Sequence, residues 1–256
     1  MRQYRTGIPL TRELPGHVTV ATQTATMVDV KPRTDVGHPE IRVRKNGPYL
    51  VRGGVPVGRT AQVETEFGEP VAWTPDEPID DADDYVLCRC GRSNDKPFCD
   101  GSHKTSGFDG AETADRTEIA DRRMEFPAGE GSVSFDLATC EHAGFCGDRF
   151  TNWRRMARKA DDPAVRERLM QMVRLCPSGA LEMQPEADGG SLEPALPVSI
   201  GVVRDGPLWV RGRIEIIGAD GETYEVRNRV TLCRCGRSQE KPFCDGSHKH
   251  VGFRDG

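Results

Sequence analysis

Nine cysteines and six histidines are the side chains in this 256-residue chain best suited to metal or redox chemistry. Two sets share one spacing, C-x-C-x8-C-x3-H: Cys88, Cys90, Cys99 and His103, then Cys233, Cys235, Cys244 and His248. Residues two apart in extended backbone point to the same side, so Cys88 and Cys90 can converge on one metal. Residues four apart on a helix share a face, so Cys99 and His103 can converge on another. Two converging pairs suit a two-metal cluster better than a single tetrahedral ion. The spacing predicts a helix after the third cysteine, with Asp100 as its N-cap and its positive end beside an anionic cluster. Gly101 leaves room for close backbone approach, and Pro97 and Pro242 hold the preceding loop extended. A Cys3His zinc site uses the same kinds of ligand and is the structural alternative.

The other three cysteines are Cys140, Cys146 and Cys176, in CEHAGFC and CPSGAL. Bacterial ferredoxins use C-x2-C-x2-C with a separate C-P, and Ala143 stands where the second cysteine belongs. His142 is the nearby candidate for the missing ligand; otherwise it is a solvated loop histidine. Three structural thiols are the alternative for the whole unit.

These residues sit on a duplicated framework. Cys88 to Phe108 and Cys233 to Phe253 are identical at 17 of 21 positions. Upstream, Ile41 to Val57 matches Ile200 to Ile216 more weakly. Each copy has a turn dipeptide, Asn46-Gly47 or Asp205-Gly206, followed by alternating apolar residues, which reads as a hairpin. The first copy is 14 residues longer between turn and cysteine, and the acidic stretch Thr74 to Asp84 is drawn as a surface loop. Between the copies, after a polar linker over residues 109–123, Val133 to Leu137 alternate as an edge strand would. A helix is expected over residues 149–159, a second from Asp162-Pro163 to Leu175, and a short strand over Ala180 to Met183. The stretch Pro185 to Pro197 is a second linker. The expected organisation is a tail over residues 1–38, a first module over 39–110, a central module over 124–186 and a second copy of the first module over 196–256.

The strings Cys99-Asp100-Gly101-Ser102-His103 and Cys244-Asp245-Gly246-Ser247-His248, with the preceding C-x-C and Ser93 or Ser238, resemble the CDGSH iron-sulfur proteins of the mitoNEET family. The resemblance covers the whole motif in both copies. It implies a 2Fe-2S cluster in each, with the first two cysteines on one iron and the third cysteine and histidine on the other. It also implies a small β-rich cap and pairing of two such units, here as an internal pseudo-dimer, with a homodimer as the alternative. No counterpart of the mitoNEET membrane anchor is expected in this chain. The central segment resembles divergent single-cluster ferredoxins, which implies a third cluster, 3Fe-4S or 4Fe-4S, on Cys140, Cys146 and Cys176. The expected fold class is α+β: two β-rich modules and a βααβ ferredoxin-like module.

A formal charge of -5 argues against nucleic-acid binding. No stretch approaches the roughly 20 apolar residues of a membrane span, and the N-terminal segment lacks the apolar run of a signal peptide. A cytoplasmic chain is expected, where clustered cysteines bind metal more often than they pair. Trp153, Arg154, Arg155, Arg158 and Lys159 read as a solvated basic helix face with a buried Trp, the alternative being a dock for an acidic redox partner, and His17, His38 and His250 as surface residues. No catalytic constellation appears, so the expected role is electron transfer between a reductase and an acceptor protein rather than enzymatic. The alternatives are cluster storage or transfer to apo iron-sulfur proteins, redox or pH sensing, and a zinc-stapled interaction module. One histidine per cluster places its potential between all-cysteine and Rieske centres. The purified protein is expected to be red-brown, with more iron than two binuclear clusters account for; a colourless, zinc-containing preparation would overturn the cluster reading.

Overall fold

The computed structural model describes residues 37–80, 82–185 and 192–255. All but Gly37 and His38 of the expected tail, and His17 with it, lie outside the described residues. The first repeat folds as strands β1 (Glu40–Val43), β2 (Tyr49–Arg52), β3 (Val57–Thr60), β4 (Gln62–Glu64), β5 (Pro70–Trp73), β6 (Glu77–Asp80) and β7 (Tyr85–Leu87), the last running into Cys88. The central segment comprises α1 (Ile119–Arg122), β8 (Met124–Pro127), β9 (Gly131–Phe135), α2 (Trp153–Ala157), α3 (Pro163–Leu175) and β10 (Leu181–Pro185). The second repeat follows as β11 (Ser199–Val203), β12 (Leu208–Arg211), β13 (Glu215–Ile217) and β14 (Arg229–Leu232), which runs into Cys233. The α+β class holds.

The repeats exchange strands. Strand β3 leaves its own hairpin and pairs in parallel with β11, Val57 opposite Ile200, while β13 pairs in parallel with β1, Ile216 opposite Ile41. Ile41 and Ile200 occupy one place in the repeat, and Val57 and Ile216 another, so the exchange is reciprocal. It yields two mixed sheets, β13-β1-β2-β7 and β14-β12-β11-β3-β6. The chain departs from each hairpin at a glycine with φ 85°, Gly53 or Gly212. A Cβ at Gly212 would lie 2.5 Å from Val198 Cα, and one at Gly53 2.7 Å from Gly37 O, so glycine alone fits both corners. Ile41, Tyr49, Val51 and Leu87 of the first repeat and Ile200, Leu208 and Leu232 of the second are fully buried in one shared core.

The central sheet has the order β10-β9-β8, so β9 is its middle strand rather than an edge. Ser134 on β9 is buried as well as Val133, which is why alternation there did not mark an open face. The added strand β8 makes the unit ββααβ instead of βααβ. Helix α2 starts at Trp153, four residues later than expected. The Asn152 side chain accepts from Arg155 N and caps it, while Asp148 accepts from Phe150 N and Thr151 N and holds the preceding residues in a turn. Helix α3 runs from its Asp162 cap to Leu175 as predicted. Trp153 is buried between Phe126 and Phe135, at ring-centroid distances of 4.9 and 5.5 Å.

Two expected loops are ordered by partners distant in sequence. Strand β6, inside Thr74 to Asp84, pairs with β3. Within the 109–123 linker, Thr113 N donates to Lys241 O at 2.8 Å, and Arg116 lies 4.0 Å over the Tyr224 ring. Among the described residues no helix is long and apolar enough to cross a membrane.

Each C-x-C encloses a buried arginine. Arg89 donates to the Gly47, Arg44 and Gly110 carbonyls. Arg234 repeats this against Gly206 O and Val203 O, and pairs with the buried Asp255 at 2.7 Å, an ion pair whose alignment falls short of a hydrogen bond. Asp255 also accepts from Asp205 N at 2.8 Å and lies 3.3 Å from Arg59 of β3. Burial acts to raise the Asp255 carboxyl, but the Arg234 charge and the Asp205 amide outweigh it and hold the carboxyl below its ordinary value. A depressed carboxyl contributes stability that is complete above its unfolded value of about 3.9 and is lost as pH falls through the folded one. Asp255→Asn is expected to cost about 3 kcal/mol at neutral pH, because it strands a buried guanidinium. It should also flatten the acid limb of the stability profile; chemical denaturation across pH checks both.

Candidate metal centres

Strands β7 and β14 deliver the first cysteine of each set, and a backbone clamp fixes it: Cys88 N donates to Pro97 O, and Cys233 N to Pro242 O. These clamps show that the loops before the third cysteine turn back instead of running extended; both prolines follow cis peptide bonds. Ser93 and Ser238, both buried, close each loop by donating to Phe98 O and Phe243 O at 2.7 Å.

The donors come together as two pairs in each set. Cys88 and Cys90 sulfurs are 3.7 Å apart, as are Cys233 and Cys235; Cys99 Sγ lies 3.4 Å from His103 Nδ1, and Cys244 Sγ 3.4 Å from His248 Nδ1. No three of the four donors in either set lie within 4.8 Å of one another. One tetrahedral ion with Zn–S bonds of about 2.3 Å needs all four donors at edges of roughly 3.8 Å. The donors of each set are therefore arranged as two separate pairs rather than as one tetrahedral group.

The predicted helix after the third cysteine is absent. Ser102–Lys104 and Ser247–Lys249 are single 3-10 turns, entered through Gly101 at φ 89° and Gly246 at φ 86°. Asp100 and Asp245 accept from Ser102 N and Ser247 N at 2.9 Å, but three residues supply no useful macrodipole. Left-handed glycines on both sides, Gly101 and Gly107 or Gly246 and Gly252, stop the turn from extending.

Electrostatics prepare one thiolate per pair. The hydrogen bond with Cys90 draws Cys88 down to about 5 and raises Cys90; Cys235 does the same for Cys233, drawn to about 6. Burial raises Cys99 and Cys244, whose thiolates then need a metal cation's charge.

Cys140, Cys146 and Cys176 line one cavity of about 160 Å³, walled by Phe135, Phe145, Pro177 and Leu181. Cys140 follows a 3-10 turn, and Cys176 caps the C-terminus of α3. All nine cysteines are free, and burial pushes Cys140 to about 11, so its thiolate needs a metal cation's charge to form in this apolar cavity. His142 is exposed with φ 59°, and its Nδ1 lies 3.9 Å from Cys140 Sγ on the rim of the same cavity. His38 and His250 are exposed, the latter at the end of the turn that carries His248.

The two repeated sites differ. Cys99 and His103 are half-buried, whereas Cys244 and His248 are buried against the central unit. A Cβ at Gly246 would lie 2.8 Å from Glu141 O, while one at Gly101 would meet nothing within 4 Å. The Tyr49 hydroxyl reaches from the first repeat to share its proton between Cys233 O and Pro242 O, at 2.7 and 2.9 Å; its counterpart is Leu208, so the first site has no such bond. Spacing did not point to Tyr49 or Glu141. The arginines of C-x-C left one sequence signal, their identity in both copies.

Residues 46–104 and 205–249 match the family model described as iron-binding zinc finger, CDGSH type, and residues 129–186 match a divergent 4Fe-4S mono-cluster family. No curated protein and no solved structure matches the chain. The chain is an iron-sulfur cluster-binding protein in which two CDGSH segments flank a divergent mono-cluster ferredoxin segment.

Tyr49→Phe is expected to cost about 1 kcal/mol in stability. It should speed iron loss to a chelator from the Cys233 site while the Cys88 site keeps its rate, as followed by visible circular dichroism.

Proposed function

We propose that the chain is an electron carrier and not an enzyme. It holds one 2Fe-2S cluster on Cys88, Cys90, Cys99 and His103, a second on Cys233, Cys235, Cys244 and His248, and a 3Fe-4S or 4Fe-4S cluster on Cys140, Cys146 and Cys176. When bound, the clusters supply one-electron redox centres. The observation that carries this reading is the contiguity of the three sites. A Cβ on Gly91 would lie 2.7 Å from Cys235 O, and one on Gly236 2.8 Å from Cys90 O, so the two C-x-C loops touch back to back. On its other side the Cys233 site touches Glu141, the neighbour of Cys140. The order is first CDGSH site, second CDGSH site, central site, without intervening side-chain layers.

The protein's own residues shape this order. Gly91 and Gly236 remove the side chains that would hold the loops apart. Arg229 of β14 donates to Cys176 O and Val173 O, tying the central cysteine loop to the strand that carries Cys233. Half-buried His103 and exposed His142 lie at the two ends of the order, where a reductase and an acceptor protein would dock. Openness at Cys99 and His103 also favours a second role confined to the first site, release of its cluster to an apo iron-sulfur protein.

Paramagnetic resonance during stepwise reduction tests the reading. Three signals are expected, with spin coupling between the second CDGSH cluster and the central one, and electron exchange with a ferredoxin reductase. On acidification the first CDGSH cluster should leave before the second, because solvent reaches its histidine. Uncoupled clusters that no reductase can reduce would overturn the carrier role.

A further inference from the structure

The second CDGSH site contains a donor that its ligand motif does not supply. A Glu141 carboxylate oxygen, Cys244 Sγ and a His248 ring nitrogen all lie within 4.8 Å of one another, and all three residues are buried. Glu141 is 3% exposed and belongs to the central module, next to Cys140. No described residue donates a hydrogen bond to its carboxylate. Lys249, the cation that acts on it, gives its ammonium to His142 O. A buried carboxyl without a protein partner stays neutral by keeping its proton, and a metal cation shared with its neighbours Cys244 and His248 is the partner that would let it ionise.

Nothing equivalent exists at the first site, where among the described residues no group of three donors forms around Cys99 and His103. The placement is built, not incidental. Glu141 O packs against the Gly246 backbone, and the Lys249 bond to His142 pins the same loop to the second repeat. A cavity of about 200 Å³, lined in part by Gln62, Arg204 and Arg254, opens onto both Glu141 and His248.

We propose that Glu141 is a reserve oxygen ligand for the iron held by Cys244 and His248. The inference rests on the reading that these two residues bind the second 2Fe-2S cluster. In the exchange, an Fe–O bond to the Glu141 carboxylate forms as the Fe–N bond to His248 breaks. The proton that leaves the Glu141 carboxyl passes to the freed imidazole, and the iron keeps its oxidation state. The second cluster thereby survives loss of its histidine, which the first cannot. Cys140 is bonded in sequence to Glu141, so filling of the central site fixes the reserve ligand in place.

The test uses the full chain with its clusters, reading iron content and the 2Fe-2S paramagnetic resonance of each site. His103→Ala is expected to empty the first site. His248→Ala should keep the second cluster with shifted g-values, and adding Glu141→Ala should empty it. With His248 intact, Glu141→Gln should raise the rate of iron loss to a chelator from the second site about tenfold and leave the first unchanged, which needs no variant that risks the fold. The proposal falls if His248→Ala empties the second site as fully as His103→Ala empties the first, if the double variant keeps as much cluster as His248→Ala, or if Glu141→Gln leaves the rate of iron loss unchanged. A wild-type chain without two 2Fe-2S signals would remove the underlying reading itself, before any variant is made.

Discussion

The parallel pairings of Ile41 with Ile216 and of Val57 with Ile200 hold the rest of the molecule in place. Each CDGSH repeat has a hairpin, a third strand and a strand that ends in cysteine. Units of about 60 residues bury too little surface to stand securely alone. By giving its third strand to the other repeat, each completes a sheet it could not complete itself, and the two apolar faces merge into one core. The same exchange sets the functional geometry, because β7 and β14 then end side by side and bring Gly91 against Cys235 and Gly236 against Cys90.

The buried arginine inside each C-x-C belongs to this design. A guanidinium deep in a small core is costly unless its donors are met and its charge is useful. Arg89 donates to three carbonyls and stacks 5.2 Å from the Phe108 ring, with its buried Nη1 left without a hydrogen bond; Arg234 donates to the two equivalent turn carbonyls, stacks 5.1 Å from Phe253 and offers its Nη1 to the Asp255 carboxylate as an ion pair. Each holds its hairpin turn against the cysteine loop and places positive charge beside thiolates. The carboxylate is present in the second repeat only, where Gly110 stands at the matching place in the first.

The central module breaks the symmetry that duplication created. It packs on the second repeat through Arg227 and Arg229, and on the first through Trp73, whose indole donates to Leu175 O and stacks between Phe145 and Trp209. One CDGSH site is thus covered and the other left open, although their motifs are nearly identical. Burial, the Tyr49 bond and the proximity of Glu141 all fall on the second site. Two sites of one composition acquire different access to solvent and different surroundings.

Donor types, their spacing, the duplication and the long helix from Asp162 to Leu175 were legible in the sequence, because each depends on residues a few positions apart. Local reasoning failed where a short-range conflict decided the outcome. Left-handed glycines cut the turn after Cys99 to three residues, and the Asn152 side chain moved the start of α2. It failed also where the partner lay far along the chain. Pairing of β6 with β3, the middle position of β9 and the ordering of residues 109–123 carry no local pattern. Sequence alone determined which side chains carry metal-donor atoms and that they occur in three sets. Tertiary structure decided that the sets touch, in which order, and which is shielded from solvent, because strand exchange and module docking are contacts between surfaces that no spacing along the chain encodes.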